Sequence, residues 1–205
     1  GKVSLDDGSK SHIRTAEKDG NAPLWRTTPM YLDKGNETLY FVDSIDQEVV
    51  SYDLQNNTEI SISVNGDGAE INLNDVNDLM LDSNTNQLVL LDDSWWNRVI
   101  TIDLATGEKS VLAELRDLGQ WPELTSIAKM GDHYLIASNS DVPLIKFDPA
   151  SGDYEADFDI FWPANAMSFD EESERAYILS FDGIKPHLSD YQYCRKYKEW
   201  LQYPG

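Results

Sequence analysis

From Arg98 to Leu104 the chain reads RVITIDL, which sets Val99, Thr101 and Asp103 on one side of an extended backbone and Ile100, Ile102 and Leu104 on the other. Alternation of period two, rich in β-branched side chains, predicts a strand rather than a helix. The following ATGE (105–108) supplies the glycine that a tight hairpin needs, and KSVL then returns as a second strand. Apolar stripes at the 3.6-residue helical spacing are scarce in the rest of the chain.

The same order of β-branched run, aspartate, turn cluster and polar strand recurs in QEVVSYDLQNNTEISI (47–62) and VPLIKFDPASGDYEAD (142–157). Asp53, Asp103 and Asp148 therefore stand 50 and then 45 residues apart, an interval typical of propeller blades. An upstream hairpin repeats as well, in PMYLDKGNETLYFVD (29–43), DLMLDSNTNQLVLLD (78–92), SIAKMGDHYLIAS (126–138) and AMSFDEESERAYILS (166–180). Each unit thus predicts a four-stranded antiparallel sheet. One such sheet cannot bury both faces by itself, so the units must stack, and stacking about an axis gives a β-propeller.

The expected fold is all-β, a single propeller domain over 1–205 with about four blades visible: 25–73, 74–121, 122–162, and a partial blade with an atypical tail over 163–205. Residues 1–24 read as the closing strand of a preceding or of the last blade. The tail, IKPHLSDYQYCRKYKEWLQYPG, is aromatic and more basic than the template and reads as a short helix with a packed end. Four blades are the low end for a propeller. The ring is accordingly expected to be truncated or to be completed by a second copy in a homodimer.

Composition narrows the partners. Against 16 Lys+Arg stand 37 Asp+Glu, a net charge of -21, which disfavours nucleic acid and anionic membranes and favours cations or a basic protein. The same acidity also serves simply to keep a protein in solution. Apolar runs such as LVLL (88–91) fall far short of the roughly 20 residues needed to cross a bilayer. Cys194 is the one cysteine, so an internal disulfide framework and a Cys-based zinc cluster are excluded. The opening GKVSLDDGSKS has no features of a signal peptide, and the expectation of an extracytoplasmic location, periplasmic or secreted, follows only from the binding role argued below.

The blades resemble those of the six-bladed propeller superfamily that includes gluconolactonase/regucalcin-type lactonases, strictosidine-synthase-like proteins and NHL or YVTN repeat proteins. The resemblance lies in NDLMLDSNTNQLVLLDD (77–93), NRVITIDLATGE (97–108) and PANAMSFDEESERAYIL (163–179), and spans roughly residues 25–183. It implies a divalent cation, usually calcium, held at the axis by a Glu from one blade and by Asn or Asp from the starts of others. Asn77 and Asn165 stand at two of those ligand positions. The Glu does not carry over, because RTTPMYLD places Thr27 or Thr28 there, and a cage of neutral ligands leaves the ion's charge uncompensated. In the lactonase mechanism the resemblance implies, the cation polarises a lactone carbonyl and acidifies a bound water, with Asp78 or Asp182 as candidate bases.

Other candidates have two readings each. Asn77, Asp78 and Asn165 either line a central channel or cap the loops before inner strands. Asp53, Asp103 and Asp148 read as scaffold, accepting hydrogen bonds from the turns that follow them. In DDSWWNR (92–98), Trp95 and Trp96 replace the polar loop of the other units. With Asn97 and Arg98 they form a candidate ligand-binding stretch, a stacking platform for a sugar or an anchor for a protein; alternatively one indole packs between blades. Trp25, Trp121 and Trp162 each precede a new unit and read as wedges between blades. His12, His133 and His187 have no ligand spacing, and no G-x-S-x-G motif accompanies them. The acidic NGDGAEINLNDVND (65–78) lacks EF-hand spacing and reads as a solvated connection. NET (36–38) and NNT (56–58) match the glycosylation acceptor pattern.

Three functions follow in order: a non-enzymatic propeller binding module for a protein or carbohydrate, a metal-dependent lactonase-like hydrolase with a degraded axial site, and a structural fragment of a longer repeat protein.

Overall fold

A computed structural model describes residues 2–3, 10–11, 29–44, 46–63, 71–115, 123–140, 144–156, 164–170, 172–181, 186–194 and 199–202, with side chains for those between 29 and 180. Four antiparallel sheets of four strands follow one another along the chain. The first is β3 (Met30–Asp33), β4 (Thr38–Asp43), β5 (Glu48–Asp53) and β6 (Thr58–Ser63). The second is β7 (Val76–Asp82), β8 (Gln87–Asp92), β9 (Arg98–Asp103) and β10 (Lys109–Glu114), and the third β11 (Leu124–Met130), β12 (His133–Ser138), β13 (Leu144–Phe147) and β14 (Tyr154–Glu155). The fourth is β15 (Ala164–Asp170), β16 (Arg175–Phe181), β17 (Pro186–Cys194) and β18 (Glu199–Gln202). Ahead of them β1 (Lys2–Val3) pairs with β2 (Lys10–Ser11) in a separate two-stranded sheet. The described residues contain no helix.

Two sequence expectations are corrected here. The tail is not a helix after a partial blade, because β17 pairs along its length with β16 and β18 pairs with β17, so the last blade has four strands of its own. Pro186 begins β17, where a missing N–H costs least, and the β-forming Tyr191, Tyr193 and Trp200 sustain the ladder. Nor do residues 2–3 and 10–11 complete that last blade, since they pair with each other.

The first strands lie side by side in chain order, β3 next to β7, β7 next to β11 and β11 next to β15, as inner strands fanned about a centre. No comparable contact returns from β15 to β3 among the described residues, so the blades form an arc. Apolar layers fill the joints. Tyr40, Val42 and Val49 meet Leu88, Leu90, Ile100 and Ile102 between the first and second blades. Val89, Leu91 and Val99 meet Ile127, Tyr134 and Ile136 between the second and third. Leu135 and Leu144 meet Ala164, Ala176 and Ile178 between the third and fourth. In β8, four consecutive apolar residues, Leu88 to Leu91, are fully buried, because alternate side chains enter joints on opposite faces.

One end of the arc is built from a repeated turn. In six hairpins an aspartate at the end of a strand is followed four residues later by a left-handed residue: Asp33 and Glu37, Asp53 and Asn57, Asp82 and Asn86, Asp103 and Gly107, Asp148 and Gly152, Asp170 and Glu174. Each aspartate accepts hydrogen bonds from the turn, as when the N–H groups of Ala105 and Thr106 donate to Asp103 Oδ1 at 2.9 and 2.8 Å. These bonds, chiefly from the Thr106 and Asn56 amides, hold Asp103 and Asp53 below the usual carboxylate range. Asp53, Asp103 and Asp148 are thus the scaffold that their spacing suggested.

Candidate functional site

The opposite end of the arc carries the starts of the inner strands and the loops between second and third strands. Each of β7, β11 and β15 begins with a β-bulge, placed between Val76 and Asp78, between Leu124 and Ser126, and between Ala164 and Ala166. The extra residues are Asn77, Thr125 and Asn165, so three blades present a polar side chain at one equivalent inner position. This brings the two sequence-predicted metal ligands into register, with a threonine between them.

Their surroundings bind blades together. Asn77 Nδ2 donates to the Leu124 carbonyl at 2.8 Å, and Thr125 Oγ1 donates to the Ala164 carbonyl at 2.8 Å. Asp78, next to the bulge, accepts from Ser126 Oγ at 2.8 Å and from the Ile127 N–H at 2.9 Å, both on the neighbouring blade. Burial pushes the Asp78 carboxyl up, opposed by those bonds and by the Leu79 amide. One oxygen of Asp78, Oδ2, is thereby engaged in the joint, and the other, Oδ1, accepts from the Leu79 N–H of its own strand at 2.9 Å. Asp182 lies outside the described residues, as do Trp25, Trp121, Trp162 and His12.

The loop between β8 and β9 shows how DDSWWNR is folded. Asp92 is fully buried; it accepts from Ser94 Oγ at 2.9 Å and pairs with Arg98 Nε at 2.7 Å. Asn97 adopts φ 44°, a left-handed conformation that asparagine tolerates, with its N–H donating to the Ser94 carbonyl at 2.9 Å and its carbonyl accepting from the Leu115 amide at 2.7 Å. Of the four predicted ligand-binding residues, Asn97 and Arg98 are therefore buried and hold the turn. Trp95 and Trp96 are displayed, 79% and 47% exposed. Two adjacent residues at the tip of a two-residue turn cannot both point inward once the flanking Ser94 and Asn97 close it.

From the same loop starts a polar line of which the sequence singled out only Asn77. Asp93 Oδ1 accepts from the Leu124 N–H at 2.8 Å and lies against the Asn77 amide. Burial, with the charges of Glu123 and Asp92 adding to it, raises the Asp93 carboxyl to about 6. Asn139 Nδ2 donates to Glu123 Oε2 at 2.9 Å. Asn77, Asp93, Glu123 and Asn139 thus share the mouth of the joint between the second and third blades, and Trp95 follows Asp93 by two residues on the same loop. Asn77 was already a candidate in the sequence and Asp93 had a signal in its adjacency to the tryptophans; Glu123 and Asn139 come from segments brought in only by the stacking of blades.

A third group, also unforeseen, occupies the equivalent loop of the first blade. Where the second blade has the Asp92–Arg98 pair, the first pairs Asp43 with Glu48, and Asp46 completes three carboxylates whose oxygens lie within 4.8 Å of one another. The Asp46 amide donates to Asp43, and Ser61 Oγ to Glu48. By donor chemistry this is the described group that best fits a hard cation, and it is distinct from the inner position of Asn77 and Asn165.

No family model and no curated protein matches the chain. Solved structures do. Streptogramin B lyase matches with a TM-score of 0.63 at 10% identity over 86% of this chain and 54% of that one. The extracellular domain of a one-component system from B. thetaiotaomicron matches at 0.62 and 15% identity, over 94% of this chain and 23% of the other. An auxiliary nutrient binding protein from Bacteroides thetaiotaomicron matches at 0.61 and 14% identity, over 85% and 40%. The chain spans about half or less of the length of each. These likenesses carry the fold: propeller-like arrays of four-stranded antiparallel sheets.

Proposed function

We propose that this chain is the blade array of an extracytoplasmic, non-enzymatic binding module that takes a carbohydrate or protein ligand at its loop end. One observation carries the reading: Trp95 and Trp96 stand exposed on the loop that also carries Asp93, whose carboxyl meets the Asn77 amide and the Glu123 charge across the joint. An indole face stacks against an apolar sugar face or anchors a partner, while carboxylates and amides accept and donate to hydroxyls around it. The nutrient-binding and extracellular neighbours support the role and the location. Among the described residues no helix is long and apolar enough to cross a membrane. The test is an oligosaccharide array followed by calorimetry with the best-bound glycan. Trp95→Ala should weaken binding about tenfold, equivalent to about 1.4 kcal/mol, with the fold unchanged. Binding indifferent to Trp95→Ala and Trp96→Ala together would overturn the reading.

A lactonase-like hydrolase of the gluconolactonase/regucalcin superfamily is the second reading, favoured by the equivalence of Asn77 and Asn165 at their bulges. The described residues fit its axial calcium poorly. Asn77, Thr125 and Asn165 are neutral, and the carboxylates beside Asn77 are already engaged, Asp78 with Ser126 and Ile127 and Asp93 with the Leu124 and Asn77 amides. Calorimetric titration with calcium, with Asn77→Ala as control, separates the two: micromolar binding lost in the variant favours the hydrolase.

A further inference from the structure

The first and last blades each have a sheet face that no other described blade covers, and register shows what these faces are. Met30, Leu32, Leu39, Phe41, Val50 and Tyr52 in the first blade occupy the positions of Leu79, Leu81, Leu88, Leu90, Ile100 and Ile102 in the second. That face of the second blade is the one packed against the first. By the same register, Ala166, Ser168, Tyr177 and Leu179 of the fourth blade occupy the positions of Asp78, Met80, Val89 and Leu91, the face that the second blade packs against the third. The arc therefore begins with a receiving face and ends with a donating one.

Exposure shows which parts remain open. Leu79 and Val89 are buried within joints, whereas their equivalents Met30 and Tyr177 are 59% and 36% exposed, and Leu32 is 44% exposed. Phe41, Val50 and Tyr52 already form a buried cluster. The open part of the first face is thus its inner strand, and inner strands are where consecutive blades meet in this fold.

We propose that the two end faces are the halves of one further blade joint, and that a second copy of this chain supplies the missing half at each end, β15 of one copy against β3 of the other. The contact joins unlike faces, so two copies related by a twofold axis make it twice and close a ring. Four blades from each copy give eight, within the range of propellers. Each copy carries a net charge of -21, so the association works against repulsion and salt strengthens it. This inference concerns the blade faces and is independent of the ligand at the loop end.

The test is sedimentation of the chain at tens of micromolar in low and high salt. A mass twice 23.2 kDa, with a dimer fraction that grows with salt, is expected; a monomer in both overturns the proposal. Met30→Asp and Tyr177→Asp change exposed side chains, so each should keep its circular dichroism spectrum yet run as a monomer. Mixed together they should recover a heterodimer, because one unaltered pair of faces survives between them. Dissociation by only one variant or by neither, no recovery on mixing, or open polymers that lengthen with concentration would each overturn it.

Discussion

A single methyl group distinguishes two turns that are otherwise alike. Gly107 and Gly152 both have left-handed backbones, φ 75° and 79°, each four residues after its aspartate. A Cβ at Gly152 meets nothing within 4 Å, but at Gly107 it would collide with the carbonyl oxygen of Ile62 on the neighbouring blade. Gly152→Ala should therefore cost only backbone strain, about 1 kcal/mol, and Gly107→Ala about 2 kcal/mol or more, as read from urea unfolding. Equal costs would mean that the blades are not in contact there. Asp93 allows a pH test. Its carboxyl titrates near 6 in the fold against 3.8 for the ordinary group, so the folded state holds the proton more tightly. Stability from this group is complete below the ordinary value and is lost as pH rises through about 6. Asp93→Asn should thus melt progressively higher than the parent between pH 5 and 7.5, and an advantage that shrank over that range would remove the argument. The spacing of Asp53, Asp103 and Asp148 made the turn legible in sequence, because a local motif needs only local residues. The environment of Asp93 was not legible, because Asn77, Leu124 and Glu123 reach it only through the stacking of blades.

Blades are held to one another by different means, and sequence periodicity reports only one of them. The apolar alternation in β8 announces faces buried on both sides, and the structure buries them. Polar pins are less visible. At the turn end of the second joint Asp82 accepts from Tyr134 Oη at 2.8 Å and pairs with Lys129, while at the loop end Asp78 accepts from Ser126 and Ile127. Burial pushes the Asp82 carboxyl up, yet the Lys129 ammonium and the Tyr134 hydroxyl outweigh it and leave it below the usual range. The Tyr134 hydroxyl is raised by burial and by the Asp82 charge. Tyr134→Phe preserves the stack on Phe147 but strips one donor from a buried carboxylate, so it should cost about 1–3 kcal/mol. In an Asp82→Ala background, which removes the acceptor, the Tyr134→Phe loss should disappear if the hydroxyl acts only through Asp82; a full additive loss would place the cost in packing instead. The last blade shows the opposite limit of legibility. Its β17 and β18 lack the template's turn of aspartate and glycine, yet β17 pairs with β16 and β18 with β17, since strand formation there needs only an edge to pair with and residues of high β propensity.

Across the whole arc these joints are unequal, and unequal joints should open in order. The second joint has large apolar side chains and polar pins at both ends. The third has Leu135, Leu144 and Ile178 but also three alanines, Ala137, Ala164 and Ala176, and its polar bonds, from Thr125 and Ser126 hydroxyls to backbone carbonyls, involve no charged group. Because the principal contacts among the described residues join chain-neighbouring blades, local openings should propagate from the ends and the weaker end should open first. In native-state hydrogen exchange on Met30→Asp, the form expected to be monomeric with an unaltered fourth blade, amides of β16 should exchange well before those of β8 and β12. Uniform protection across β8, β12 and β16 would instead require the third joint to be as strong as the second, and the hierarchy drawn from side-chain size and polar pins would fail.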